Sequence, residues 1–236
     1  MFESKYSKLL TVILIIVIIA IIGLLGFLAF DYYQNYMITK DTADFVDAFQ
    51  GDVVSDADED EDSVKTGDSA QTGDNAEASE SQENPLDKLS DASSQKGSSA
   101  TKKVTYKGFG ALGTMEIPAI NFKYPVLEKV TKKSIETAVA FLYGTGLNEP
   151  GNSVIIGHNY RNGLFFSNNK KLNIGDKIFI TDNLGRKLGY TIYNKFETTP
   201  EDTSFYQRDT GGKAEVTLST CTDDSKARLI ILARNE

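Results

Sequence analysis

The sequence predicts a mostly β protein: a closed or nearly closed barrel with short helices, carried behind one transmembrane helix and a disordered linker. Three observations predict it. Residues 9–30 are 22 in a row without a charge. Residues 51–103 are polar and acidic, with few apolar side chains. Residues 104–236 alternate short β-branched runs with Gly- and Asn-containing turns.

The apolar run, LLTVILIIVIIAIIGLLGFLAF, would span about 33 Å as a helix at about 1.5 Å per residue, enough for a bilayer core. Lys5 and Lys8 precede it, and Asp31, Asp41, Asp44 and Asp47 follow. The positive-inside bias then places residues 1–8 in the cytoplasm and everything after Phe30 outside. The competing reading is a cleaved secretory signal, whose core is usually about 7–15 residues. This run is longer and no small-x-small site follows it closely, so a retained anchor in the cell membrane is expected.

Residues 31–103 are expected to form an extracellular juxtamembrane segment and linker. Phe45, Val46 and Phe49 lie at helical spacing, a weak sign of a short helix in 31–50. The stretch SDADEDED and the polar residues after it bury too little apolar surface to offset their ordering entropy. As a flexible chain, residues 51–103 would reach about 40 Å. They read equally as a functional tether and as a plain spacer.

Residues 104–236 read as one domain. Strands are expected at 112–117, 124–127, 153–157, 177–182, 188–197, 214–220 and 228–233, with short helices at 131–142 and 163–172. NEPGN, NIGD, DNLG and DTGG supply the turns between them. Many short strands with such turns point to a barrel.

Charge and cysteine usage narrow the chemistry. The net charge is −8, made of −11 in residues 1–103 and +3 in residues 104–236. No dense basic surface exists for phosphate neutralisation, so nucleic acid is not an expected partner. One cysteine permits no internal disulfide. One Cys and one His are too few for an ordinary zinc site, and no metal or cofactor is expected.

That cysteine, Cys221, ends one predicted strand; the one histidine, His158, follows another; Arg228 begins a third. A thiol needs a base or a cationic neighbour to act as a nucleophile. An imidazole supplies a base and then an acid. A guanidinium offers a planar fork of donors to an oxyanion or a backbone carbonyl. Each also has a plainer reading. Cys221 would be a small buried apolar group, His158 an ordinary core or surface residue, and Arg228 a partner of Asp223 or Asp224.

Whole motifs favour the chemical reading. TLSTC followed by RLIILA, with GNSVIIGHNYRNGLFF upstream, resembles the sortases, cysteine transpeptidases of Gram-positive cell surfaces. The matching residues are Thr217, Leu218, Thr220 and Cys221, then Arg228, then Gly151, Asn152, Gly157 and His158. The resemblance covers about 112–236, and implies an eight-stranded sortase-like β-barrel. It also implies that Cys221 attacks the Thr–Gly carbonyl of an LPxTG-like sorting signal on a secreted protein, with His158 as acid/base. Arg228 would hold the substrate or the oxyanion, and Thr220 would contribute to the oxyanion site or serve only as a strand residue. A peptidoglycan precursor or another amine would resolve the thioester. Arg234 is the competing arginine, but it follows the last apolar strand, while Arg228 leads into it.

Subclass signals conflict. The serine in TLSTC resembles the class linked to haem-related surface proteins, yet residues 198–213 are too short for that class's long helix. No Asp-Pro-aromatic lid motif and no second apolar segment occur, so an open site for anchoring single proteins is expected, with 198–213 as its substrate-reading loop. No recognisable calcium loop is present. Two rivals stand beside this reading: a cysteine protease that hydrolyses the same intermediate, and a membrane-anchored binding module without catalysis.

Overall fold

The computed structural model describes residues 3–57 and 104–235. The acidic linker expected over 51–103 lies outside the described residues from position 58 on. The chain divides into two units, one up to Asp41 and one from Thr42 onward.

The first unit is helical. Helix α1 (Glu3–Ala57) carries the charge-free run, whose side chains stand bare, with Leu10 at 71% and Phe27 at 68% exposure. An uninterrupted apolar helix flank of this length is what a bilayer covers.

The second unit starts with the last turns of α1. Thr42, Val46 and Phe49 are buried, spaced four and three residues apart on one helix face. Phe45 packs edge-on against Tyr106 with ring centres 4.8 Å apart. Asp47 accepts from Lys123 Nζ at 2.8 Å. Gln50 Nε2 donates to Glu116 Oε1 at 2.7 Å, and Lys187 Nζ reaches the same oxygen at 2.8 Å. The weak apolar spacing in 45–49 is thus the contact face of a helix that continues well past Phe30.

The barrel comprises β1 (Val104–Tyr106), β2 (Phe109–Ile117), β3 (Phe122–Leu127), β4 (Val139–Tyr143), β5 (Gly151–Ile156), β6 (Lys177–Asp182), β7 (Lys187–Thr198), β8 (Ala214–Cys221) and β9 (Arg228–Asn235). The sheet order is β1-β2-β3-β4-β5-β8-β9-β7-β6, and β6 pairs back onto β2. Eight strands, β2 to β9, therefore close on themselves, and β1 is a short antiparallel addition to β2. Among the described residues, only β3–β4 and β5–β8 run parallel. Met115, Ile117, Ile155, Ile180, Ile192 and Leu218 are among the fully buried residues of the core.

The helix expected over 131–142 is shorter than predicted. It is a single turn, α2 (Lys132–Ile135), nucleated by a capping box between Thr131 and Ser134. The chain then extends into β4, which pairs with β3 and β5. Burial of Val139, Ala140 and Leu142 against neighbouring strands outweighs local helical preference, as tertiary context commonly does. Over 163–172 the structure has a 3-10 turn, Phe166–Lys171.

Strand β8 is buried on both faces from Glu215 to Thr220. Alternation turns Val216 and Leu218 one way and Thr217, Ser219 and Cys221 the other. The second face is covered by the β7–β8 connection, whose Phe205 packs with Leu142, Val154, Ile230 and Leu232 in a cluster apart from the main core. The space between that connection and the strand ends is the candidate site.

Candidate active site

Register builds the site. Cys221 and Arg228 face each other at the turn end of the antiparallel β8–β9 hairpin. The turn joining them is held by Thr222 N donating to Ala227 O at 3.0 Å and Thr222 Oγ1 bonding Asp224 Oδ1 at 2.6 Å. Strand β5 lies on the other side of β8 and runs parallel to it, with Ile156 opposite Ser219. Parallel neighbours end at the same mouth, so the chain leaving β5 delivers His158, two residues later, to the end where Cys221 stands.

The two strand exits are stitched together. Gly157 N donates to Ser219 O at 3.3 Å, and Thr220 Oγ1 donates to Gly157 O at 2.7 Å. Asn159 Nδ2 donates to Cys221 O at 3.0 Å and to Asp223 Oδ1 at 2.9 Å. Gly157 is glycine for space: a Cβ there would lie 2.8 Å from Val139 Cγ1 and 2.9 Å from Phe166 Cδ2. The Thr220 hydroxyl is thus directed at the Gly157 carbonyl.

The loop after His158 is held in turn. Phe166 N donates to His158 O at 3.0 Å. Phe165 sits at φ 49, a conformation a bulky side chain adopts only under constraint. The imidazole stacks on Tyr160, with ring centres 4.8 Å apart and planes inclined by 27°. Burial lowers the His158 pKa from its ordinary 6.5, and the Glu136 carboxylate opposes that shift. The neutral imidazole is thereby favoured at neutral pH.

Arg228 Nη1 donates to Cys221 Sγ at 3.2 Å. His158, Cys221 and Arg228 all border one cleft of about 200 Å³, so the three residues singled out in the sequence come together. Arg234 does not line it. Its guanidinium lies over the Tyr193 ring at 5.0 Å, six residues and about 20 Å along the strand at roughly 3.3 Å per residue.

Sequence reasoning gave 198–213 as the substrate-reading loop but assigned no residue within it. Pro200, Asp202, Phe205 and Tyr206 from the β7–β8 connection form one wall, and Ile135 and Leu142 another part of the lining. Tyr206 stacks on Tyr143 with centres 5.7 Å apart. Asp202 accepts from Ser204 N at 2.8 Å and Thr198 Oγ1 at 2.5 Å. These bonds hold its carboxyl pKa below the ordinary value. An aromatic pair inside a Pro- and Asp-containing loop was the available signal, but nothing in the sequence says which way such a loop folds.

The fold and the site together define a small closed β-barrel bearing a thiol, an imidazole and a guanidinium at one end of three adjacent strands. A family model for the sortase domain matches residues 115–236. Sortase A of Bacillus anthracis is 30% identical over 123 residues, covering 51% of this chain and 57% of the relative. The match thus spans little more than half the length of that curated protein. Among solved structures, sortase A from Corynebacterium diphtheriae aligns with a TM-score of 0.50 and 28% identity, over 54% of this chain and 61% of that one. A sortase D5 transpeptidase of Clostridium perfringens aligns with a TM-score of 0.49 and 30% identity, over 53% and 79%. The chain belongs to the sortase family.

Proposed function

We propose that the protein is a membrane-anchored cysteine transpeptidase acting on an LPxTG-like sorting signal of secreted proteins. The observation that carries this reading is the Arg228 guanidinium bonded to Cys221 Sγ at 3.2 Å, on the wall of a cleft that His158 also lines. Cys221 Sγ attacks the Thr carbonyl of the Thr–Gly bond, and its proton passes to the neutral His158. Arg228 donates to the carbonyl oxygen as negative charge develops on it. His158 returns the proton to the departing glycine nitrogen, the C–N bond breaks and a thioester remains. An amine of a peptidoglycan precursor, or another cell-wall amine, then attacks that thioester, forming a new amide and freeing the thiol.

Topology follows the flanking charges. Lys5 and Lys8 stay in the cytoplasm, the apolar run of α1 crosses the membrane, and the barrel stands outside. In this reading the acceptor is cell-wall material and single proteins are anchored.

Mass spectrometry of the protein with LPxTG- and NPxTG-type peptides and short amine acceptors tests the proposal. A thioacyl adduct on Cys221 and an amine-dependent product are expected. Cys221→Ala is expected to abolish both, and Arg228→Ala to slow adduct formation by about 10²–10³-fold, the scale of losing an oxyanion donor. Product formed equally without an amine would mean a protease. No adduct with any peptide would leave a binding module.

A further inference from the structure

Two motif residues take no part in the chemistry described above: Asn152, of the GN pair that opens β5, and Thr217, which begins TLSTC. Both are buried, and both lie on the cleft side of their strands but short of the cleft itself. Their side chains meet at Arg208, in the connection between β7 and β8. Arg208 Nη2 donates to Asn152 Oδ1 at 2.9 Å and to Thr217 Oγ1 at 3.0 Å. Its Nη1 donates to Glu215 Oε2 at 2.5 Å and to the Tyr193 hydroxyl. Its Nε donates to Phe205 O at 3.2 Å.

The network closes on itself. Asn152 Nδ2 donates to Phe205 O and to Tyr206 O, each at 3.0 Å. Thr217 Oγ1 donates to Asn152 Oδ1 at 2.7 Å, and the Tyr193 hydroxyl donates to Glu215 Oε2 at 2.9 Å. The Arg208 and Glu215 side chains are only 18% and 9% exposed, so solvent screens the pair little. The carbonyls held this way belong to Phe205 and Tyr206, whose side chains form the loop wall of the cleft.

Arg208 does not reach the reacting atoms. Thr217 precedes Cys221 by four residues, about 13 Å at roughly 3.3 Å per residue of strand. We propose that Arg208 is the positioning residue of the substrate-reading wall: by tying the β7–β8 connection to Asn152, Glu215 and Thr217, it sets where Phe205 and Tyr206 meet the apolar residues of the sorting signal. This inference rests on the cleft being the sorting-signal site. Arginine is required because its planar fork donates in several fixed directions at once, whereas a lysine nitrogen is a single point that satisfies only part of the set.

The test uses the full-length chain in detergent micelles, as wild type, Arg208→Lys and Arg208→Gln. Three quantities are measured: kcat and KM for an LPxTG-type fluorogenic peptide, the rate of Cys221 alkylation by iodoacetamide, and backbone hydrogen exchange across 199–209. In Arg208→Lys we expect KM to rise by about tenfold with kcat within about twofold, the pattern of lost ground-state binding. Loop exchange should quicken by about tenfold or more while β8 stays protected, and alkylation should match wild type. Arg208→Gln should move the same quantities further in the same directions. Wild-type KM and loop exchange in Arg208→Lys would overturn the proposal. So would a matched fall in kcat and alkylation at constant KM, which would place the effect at the thiol, or loss of protection throughout the barrel. If wild type cleaves no peptide, the sorting reading fails by itself, and exchange with alkylation still decides whether Arg208 holds the wall.

Discussion

His158 is the one histidine in the chain, so its titration is read as a single set of imidazole resonances by NMR. Burial depresses its folded-state pKa below 6.5, and Glu136 partly restores it. Removing that carboxylate in Glu136→Gln should therefore lower the value further; a rise would contradict the assigned cause. The same shift has a stability consequence. Between the depressed folded value and the unfolded value near 6.5, the unfolded chain binds more protons than the folded one. Acidification through that window should therefore destabilise the protein, and His158→Gln should remove that part of the pH dependence. Gly157→Ala tests the other constraint on the imidazole. Both neighbours of the added methyl, Val139 and Phe166, are fully buried and cannot step aside. Overpacking of this kind costs about 1–3 kcal/mol, to be read from denaturant unfolding.

At the scale of elements, the last turns of α1, from Thr42 on, belong to the second unit. The barrel closes through β2–β6 pairing without those turns, so the helix end should detach before the barrel melts. Val46→Asp places a charge where no solvent reaches, a penalty that a surface-docked helix relieves by undocking. New protease cleavage between 42 and 57 is expected, with the barrel's melting temperature unchanged. Simultaneous loss of both would show that the helix end is part of the barrel's cooperative unit. Strand β4 makes a related point. Residues 131–142 carry a helix start at Thr131, yet only one turn forms, because the residues after it complete the wall between β3 and β5.

For the whole molecule, stability comes from barrel closure and apolar burial. With a single cysteine, half-exposed at a strand end, the protein should melt at the same temperature with and without dithiothreitol in a calorimeter. Oxidation should instead yield a Cys221-linked dimer whose peptide cleavage returns on reduction. The parallel β5–β8 pair is the architectural feature behind the site. It brings to one mouth two strand exits that are 63 residues apart in sequence, as the Thr220 to Gly157 hydrogen bond records.

By itself the sequence determined what period and composition express. The apolar run, the strands at 177–182, 188–197, 214–220 and 228–233, and the residue types of the thiol chemistry were all legible, because alternation and turn residues are local signals. The resemblance of whole motifs to the sortases added His158, Cys221 and Arg228 as a set. Tertiary structure alone decided the rest. It closed the barrel through β2–β6 and drew most of a predicted helix into β4. It also folded Phe205 and Tyr206 over the strand ends. Each of these outcomes depends on contacts between residues far apart in the chain, where burial and strand register outweigh anything a neighbouring residue can specify.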